Sequence, residues 1–270
     1  MRAMPDAPAY PTPHLAVNAV LSALSADVQA ILGQHVVGMY LGGSLAAGDF
    51  DPQRSDIDFV VVTADELTQR VIAELAAMHA RLAAGSSKWG AELEGSYFPR
   101  RALRRYDRAH ARYPHIERGG GLSVEQHESD WVIQCHILRE KGVAIAGPAP
   151  RTLIDPIGPG DLRQAVLGIL RAWWAPMLHD PAHLHSCGYR TYAILTMCRM
   201  LYTLHYGLIV SKPVAARWAR ETLDGKRAAL IDWAWAGWPD AEPGNLNETL
   251  DFIRYTLERS RHFEALAAPV

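Results

Sequence analysis

The chain has 270 residues, 49% of them apolar, so it is long enough to bury one large or two modest hydrophobic cores. Its 27 basic and 29 acidic residues give a formal net charge of −2, and this balance argues against a nucleic-acid partner and against an anionic membrane. Three cysteines are too few and too odd in number for a disulfide framework, which predicts a reducing, cytoplasmic location.

The N-terminal region begins with a proline-rich segment, residues 1–12, which we expect to be loose or extended. From Pro13 to Leu32, apolar residues recur at helical spacing, and Gly33 suits the position after a helix. Polar residues interrupt the apolar stretch, so it fits neither a secretion signal nor a membrane span. We therefore predict an amphipathic helix of a soluble domain.

Two apolar runs follow, and both predict buried strands: Val36–Leu41 and the β-branched run Ile57–Val62. The tripeptide Gly42-Gly43-Ser44 between them predicts a turn whose backbone N–H groups can surround an anion. No Gly-Lys-Ser/Thr sequence follows, so this turn differs from the common phosphate loop.

A pair of carboxylates stands at the head of the second strand. Because successive side chains on a strand point to opposite faces, Asp56 and Asp58 share one face. Two like charges at such close range are unfavourable unless a cation neutralises them, and a divalent metal is the usual solution. The pair therefore predicts a Mg²⁺ site.

A third carboxylate is expected from a neighbouring strand. The spacing predicts a helix over Glu66–Leu82 and then an alternating strand over Trp89–Phe98. Glu92 and Glu94 lie on the same face of this strand, so alternation alone cannot choose between them.

An arginine-dense stretch, Arg100–Arg112, leads to a glycine-rich loop at residues 119–121. Such a run can bind an anionic acceptor or nucleic acid, but a solvated helix face is the more common outcome, and the balanced charge of the chain favours it. A helix over Ser129–Lys141 and a short strand over Val143–Ala146 complete this half of the chain.

The remainder carries only helical signals. We predict five helices there, Asp161–Leu178, Gly188–Tyr206, Lys212–Leu223, Lys226–Ala236 and Asn247–Ala267. The predicted fold is thus an α/β domain with a mixed sheet and helices at residues 13–155, followed by an all-α helical bundle domain at residues 156–270. We expect a monomer or a weak dimer.

The Gly-Ser turn followed by Asp-x-Asp resembles the signature of the polymerase-β-like nucleotidyltransferases. From about residue 35 onward, the chain also resembles the aminoglycoside adenylyltransferases that modify streptomycin and spectinomycin. The segments that carry this resemblance are the turn with its two aspartates, the Leu-Glu strand, and residues 130–140, 147–148, 153–156, 195–202 and 211–219.

The resemblance implies a Mg²⁺- and ATP-dependent enzyme that transfers AMP to a hydroxyl group of a small molecule, with an aminoglycoside or aminocyclitol antibiotic as the leading acceptor and antibiotic resistance as its role. It assigns metal binding to Asp56 and Asp58, and metal binding together with the role of catalytic base to Glu94. Triphosphate oxygens are expected to be held by Gly43, Ser44 and Ser55. The expected ATP contacts from a cleft between the domains are Asp130, Arg199 and Lys212.

The predicted acceptor region departs from the family pattern. The segment Cys187–Tyr192 carries no carboxylate and one positive charge, whereas a polycationic drug requires carboxylates. Two alternatives therefore remain: adenylylation of a protein or tRNA, and a non-catalytic nucleotide-binding sensor or antitoxin-like module.

Overall fold

The computed structural model describes residues 11–53, 55–236 and 245–264. They form two compact units. The first unit contains the described residues up to His127 together with Gln134–Pro156, and the second contains Glu128–Ile133 together with the described residues from Ile157 onward. The predicted domain boundary at residue 155 remains a prediction; Glu128–Ile133, which precedes it in the chain, groups with the second unit. Residues 1–10 of the segment predicted to be loose lie outside the described residues.

A six-stranded sheet forms the centre of the first unit. Its strands, in chain order, are β1 (Val36–Leu41), β2 (Ile57–Thr63), β3 (Leu93–Pro99), β4 (Arg112–Ile116), β5 (Leu122–Gln126) and β6 (Val143–Ala146). Their spatial order is β5-β4-β3-β2-β1-β6, in which β2 and β3 run parallel and the other neighbours run antiparallel. The prediction of a mixed sheet is confirmed.

The helices of this part of the chain are α1 (Leu15–Leu32), α2 (Gly43–Ala47), α3 (Gln69–Ala83), α4 (Arg100–Arg104) and α5 (Asp130–Lys141). Helices α1 and α3 contribute to the same core cluster as every second residue of the central strands, including Met39, Phe59 and Tyr97. Residues that alternate with these belong to the opposite face of the sheet. Asp58 and Glu94 are therefore on the face opposite α1 and α3.

Among the described residues, one helical stretch, Leu15–His35, is long and apolar enough to cross a membrane. Its inner residues Val17, Leu21 and Leu24 are at most 1% exposed and lie in the core of the first unit. A core helix passes the same length test, so this stretch is weak evidence for membrane insertion.

Two strands that were not predicted follow the arginine-dense stretch. Strand β4 includes Pro114, a residue that is uncommon inside sheets, and β5 follows the glycine-rich turn. Strand β3 is also shorter than predicted, because residues 88–90 form a turn of 3₁₀ helix and pairing with β2 begins at Leu93.

Helices alone make up the described part of the second unit from Ile157 onward, as predicted. They are α6 (Pro159–Ile169), α7 (Cys187–Tyr206), α8 (Lys212–Thr222), α9 (Gly225–Ala236) and α10 (Leu246–Ser260). Helix α7 packs against the other four, and its buried side chains form the centre of this core. The helix predicted over Asp161–Leu178 has regular geometry only to Ile169, followed by a wider π turn at Leu170–Trp174.

Candidate active site

Three carboxylates converge at the start of β2 and β3. Asp56 immediately precedes β2, and the parallel register pairs Asp58 directly with Glu94. Carboxylate oxygens of these three residues all lie within 4.8 Å of one another, and each residue is half-buried. Three negative charges at this distance repel one another, so the arrangement calls for a cation.

The carboxylate of Glu94 differs in its proton affinity from an ordinary glutamate. Burial and, next in size, the neighbouring negative charge of Asp56 raise the pKa of Glu94 to about 6. A hydrogen bond from the backbone N–H of Arg118 acts in the opposite direction. A carboxylate with a pKa close to neutrality is suited to accept a proton from a reacting hydroxyl group.

The glycine turn approaches the carboxylates very closely. Gly42 donates a backbone hydrogen bond of 3.0 Å to the carbonyl of Asp58, which joins the turn to β2. Gly43 adopts a positive φ of 51°, and a Cβ atom at this position would lie only 1.6 Å from Asp58 Oδ2. The position therefore requires glycine, both for its backbone conformation and for space.

The donor groups around this cluster fit Mg²⁺ and a triphosphate. Carboxylate oxygens are the hard ligands that Mg²⁺ prefers. The hydroxyl of Ser44 is buried and has no hydrogen-bond partner among the described residues, so it is available to a phosphate oxygen. Asp56 and Asp58 would hold the metal beside this hydroxyl.

Ser55 lies in the loop before Asp56, and its hydroxyl is already part of that loop. It accepts a hydrogen bond of 3.0 Å from the backbone N–H of Asp51, and its own N–H donates to the Asp51 carbonyl at 2.8 Å. The contact between Ser55 and a triphosphate remains a prediction.

The structure separates the two glutamates that alternation left equivalent. Glu92 precedes β3 and forms an ion pair with Arg118, whereas Glu94 is within the strand and next to the two aspartates. Sequence reasoning missed Arg118, whose N–H contacts Glu94, because the hairpin that carries it was not predicted. The alternation of Leu122–Gln126 after a glycine-rich turn was the available signal.

The three predicted ATP contacts belong to the second unit. Asp130 begins α5, and desolvation raises its pKa to about 6 although the side chain keeps contact with solvent. Arg199 is half-buried on α7. Lys212 is the first residue of α8, with its Nζ atom 5.5 Å from the ring centroid of Tyr192. Their contacts with ATP remain predictions.

The segment predicted to face the acceptor presents less positive charge than its sequence indicates. Arg190 is only 5% exposed, and its Nη1 atom donates hydrogen bonds of 2.9 and 3.1 Å to the carbonyls of Leu184 and His185. Its charge thus stabilises a turn inside the second unit. Nearby Trp173 and Tyr192 are 49% and 44% exposed and give this surface an aromatic character.

Two family models match the chain. Residues 21–109 match the nucleotidyltransferase domain, and residues 152–259 match the C-terminal domain of aminoglycoside adenylyltransferase. The chain is similar to the aminoglycoside adenylyltransferases. The predicted resemblance is therefore confirmed, and the carboxylate cluster lies within the residues that match the nucleotidyltransferase domain.

Individual relatives agree with the assignment. An aminoglycoside (3'') (9) adenylyltransferase of Klebsiella pneumoniae is 31% identical over 120 residues, which span 43% of this chain and 43% of the relative. The chain thus matches less than half the length of that relative. A spectinomycin 9-adenylyltransferase of Staphylococcus aureus is 27% identical over 78% of this chain and 81% of its own length.

A solved structure extends the similarity to the fold. The spectinomycin adenyltransferase of Enterococcus faecialis, crystallised with ATP and spectinomycin, superposes with a TM-score of 0.69 and 18% sequence identity. The match covers 90% of this chain and 98% of that chain. At this identity the comparison supports the fold, and the predicted fold class is confirmed.

Proposed function

We propose that this protein is a Mg²⁺-dependent adenylyltransferase that transfers AMP from ATP to a hydroxyl group of a small molecule. The observation that carries the proposal is the convergence of Asp56, Asp58 and Glu94 beside the Gly43-Ser44 turn. Nucleotidyl transfer needs this combination, because a metal held by carboxylates must offset the negative charge of the phosphates while a base accepts a proton.

In the proposed reaction, the acceptor oxygen bonds to the α-phosphorus of ATP, and the bond to the β-phosphate breaks to release pyrophosphate. Glu94 accepts the proton of the acceptor hydroxyl, consistent with its raised pKa. The hydroxyl of Ser44 and the backbone of Gly43 hold triphosphate oxygens. Bound Mg²⁺, carried by Asp56 and Asp58, would offset the charge of those oxygens.

For the acceptor, we propose an aminoglycoside or aminocyclitol. The named relatives act on aminoglycosides or spectinomycin, and this supports the class without identifying the compound. Cysteines 135, 187 and 198 are buried and unpaired, in keeping with action in the reducing cytoplasm where ATP is available.

The test is an incubation with Mg-ATP and a panel of aminoglycosides and aminocyclitols, read by mass spectrometry for a gain of one AMP and by pyrophosphate release. Asp58→Asn and Glu94→Gln should each lower turnover by at least about 10²-fold. Glu92→Gln is the matched control: this neighbour is outside the cluster, so turnover should stay within a few fold. Equal activity of Glu94→Gln and wild type would refute the assignment of the base.

A macromolecular acceptor is less well supported. In the arginine-dense stretch, Arg101 forms an ion pair with Glu66, and Arg104 and Arg105 both pair with Asp155. Arginines engaged with carboxylates of their own unit offer less charge to a polyanion. Label from α-labelled ATP should accordingly appear on a small molecule, and its appearance on protein or tRNA would overturn the acceptor class.

A further inference from the structure

A second group of side chains with metal-ligating atoms lies on the β4–β5 hairpin. The antiparallel register pairs Tyr113 with Glu125 and His115 with Ser123, so His115 and Glu125 face the same side of the hairpin. Ligand atoms of His115, Glu117 and Glu125 all lie within 4.8 Å of one another. The hairpin therefore presents one imidazole and two carboxylates from a short, hydrogen-bonded segment.

The imidazole is held in place by the adjacent strand. Ser96 of β3 pairs with His115 in the sheet, is only 3% exposed, and its Oγ atom lies 2.8 Å from His115 Nδ1. This contact orients the ring, which also hydrogen-bonds to the backbone of Gly95. Metal-binding histidines are typically oriented in this way by a hydrogen bond to the other ring nitrogen.

The charge of the group is not balanced by the protein. Neither Glu117 nor Glu125 forms an ion pair with another residue of the described ranges. Two carboxylates and an imidazole form the kind of site that a divalent cation completes.

We propose that His115, Glu117 and Glu125 bind a divalent transition metal of the Zn²⁺ class. A nitrogen donor distinguishes this group from the all-oxygen cluster at Asp56 and Asp58, because imidazole suits Zn²⁺ whereas carboxylates alone suit Mg²⁺. The bound ion would connect β4, β5 and the turn between them. Arg118, whose N–H contacts Glu94, belongs to that turn, so the metal would also fix part of the carboxylate cluster's surroundings.

The experiment measures Zn²⁺ binding by calorimetry and the visible absorption of bound Co²⁺, using the full chain with Asp58→Asn so that the other cluster is weakened. We expect one Zn²⁺ per chain. His115→Gln and Glu125→Gln should each lower the affinity by about tenfold or more, and Ser96→Ala should lower it by about tenfold because the imidazole loses its support.

His110→Gln is the matched control. His110 is exposed, with Nδ1 2.9 Å from Asp107, and it belongs to no three-ligand group among the described residues, so its loss should leave Zn²⁺ affinity unchanged. Unfolding temperatures without metal identify any variant that fails to fold, and the Ser96→Ala arm then still tests the site. Unchanged Zn²⁺ affinity in folded His115→Gln protein, or no Zn²⁺ bound by the parent, would overturn the proposal. None of these readouts depends on adenylyl transfer.

Discussion

The contact between the glycine turn and Asp58 makes Gly43→Ala a sharp test of the site. An alanine Cβ would lie 1.6 Å from Asp58 Oδ2 and 2.4 Å from Cγ, far inside van der Waals contact. The carboxylate cannot remain where it is, and it must rotate away from Asp56 and Glu94. The substitution thus removes a predicted metal ligand without changing any charged residue.

Gly43→Ala should affect both the stability and the activity of the protein. A non-glycine residue at φ +51° loses about 1–2 kcal/mol of folding free energy through backbone strain. The displaced carboxylate affects activity more, since a shift of about 1 Å in a positioning group can lower a rate about 10²-fold. We therefore expect kcat/KM to fall by at least about 10²-fold. Titration with Mn²⁺ followed by electron paramagnetic resonance should show weaker metal binding.

Gly33→Ala is a control that introduces similar backbone strain without a steric clash. Gly33 has a similar φ of 53° after α1, but an added Cβ meets no atom within 4 Å. Both variants should lose a similar free energy of unfolding in urea, while only Gly43→Ala loses activity and Mn²⁺ affinity. If both retained full activity, or if both lost it equally, the role given to the Gly43–Asp58 contact would be refuted.

Three further predictions concern stability. Burial lowers the pKa of His79 from 6.5 to about 4, so the neutral imidazole contributes its full stabilisation above pH 6.5. As the pH falls from 7 to 4, the free energy of unfolding should decrease by about 3 kcal/mol from this group. Urea denaturation of His79→Gln over the same pH range should show a smaller decrease than wild type. Replacing Arg190 by Met leaves two backbone carbonyls without their donor and should lower the free energy of unfolding by about 2–3 kcal/mol. Asn18→Ala removes the buried side chain that exchanges hydrogen bonds with Thr12, so the free energy of unfolding in denaturant should fall by about 2 kcal/mol. An unchanged unfolding midpoint would contradict the role of Asn18 in anchoring the chain ahead of α1.

Local patterns predicted the elements that bury a regular apolar face. The bounds of β1 and β6 agree with the apolar runs, and α7 and α8 begin and end within one residue of their predicted limits. In each of these segments the periodicity and the flanking glycine or proline indicate the same structure, so local sequence was sufficient to predict the bounds of the element.

Features that depend on distant partners were harder to predict. Alternation from Trp89 onward did not reveal where β3 begins, because that point is set by the start of pairing between Leu93 and Ile57. Pro114 argued against a strand at β4, yet β4 pairs with both β3 and β5. Alternation likewise left Glu94 and Glu92 equivalent, and only the resemblance chose Glu94, because the strand register and the ion pair of Glu92 with Arg118 are contained in no local pattern.

The parallel pairing of β2 with β3 has a consequence for how activity arises during folding. The side-chain repeat of a strand is two residues, so a slip of one position between these strands would turn Glu94 toward α1 and α3 and away from the aspartates. The strands are joined through α3 and meet only after that long connection has closed, a slow type of step in chain collapse. A refolding chain should therefore regain most of its secondary structure before it can form the proposed Mg²⁺ site.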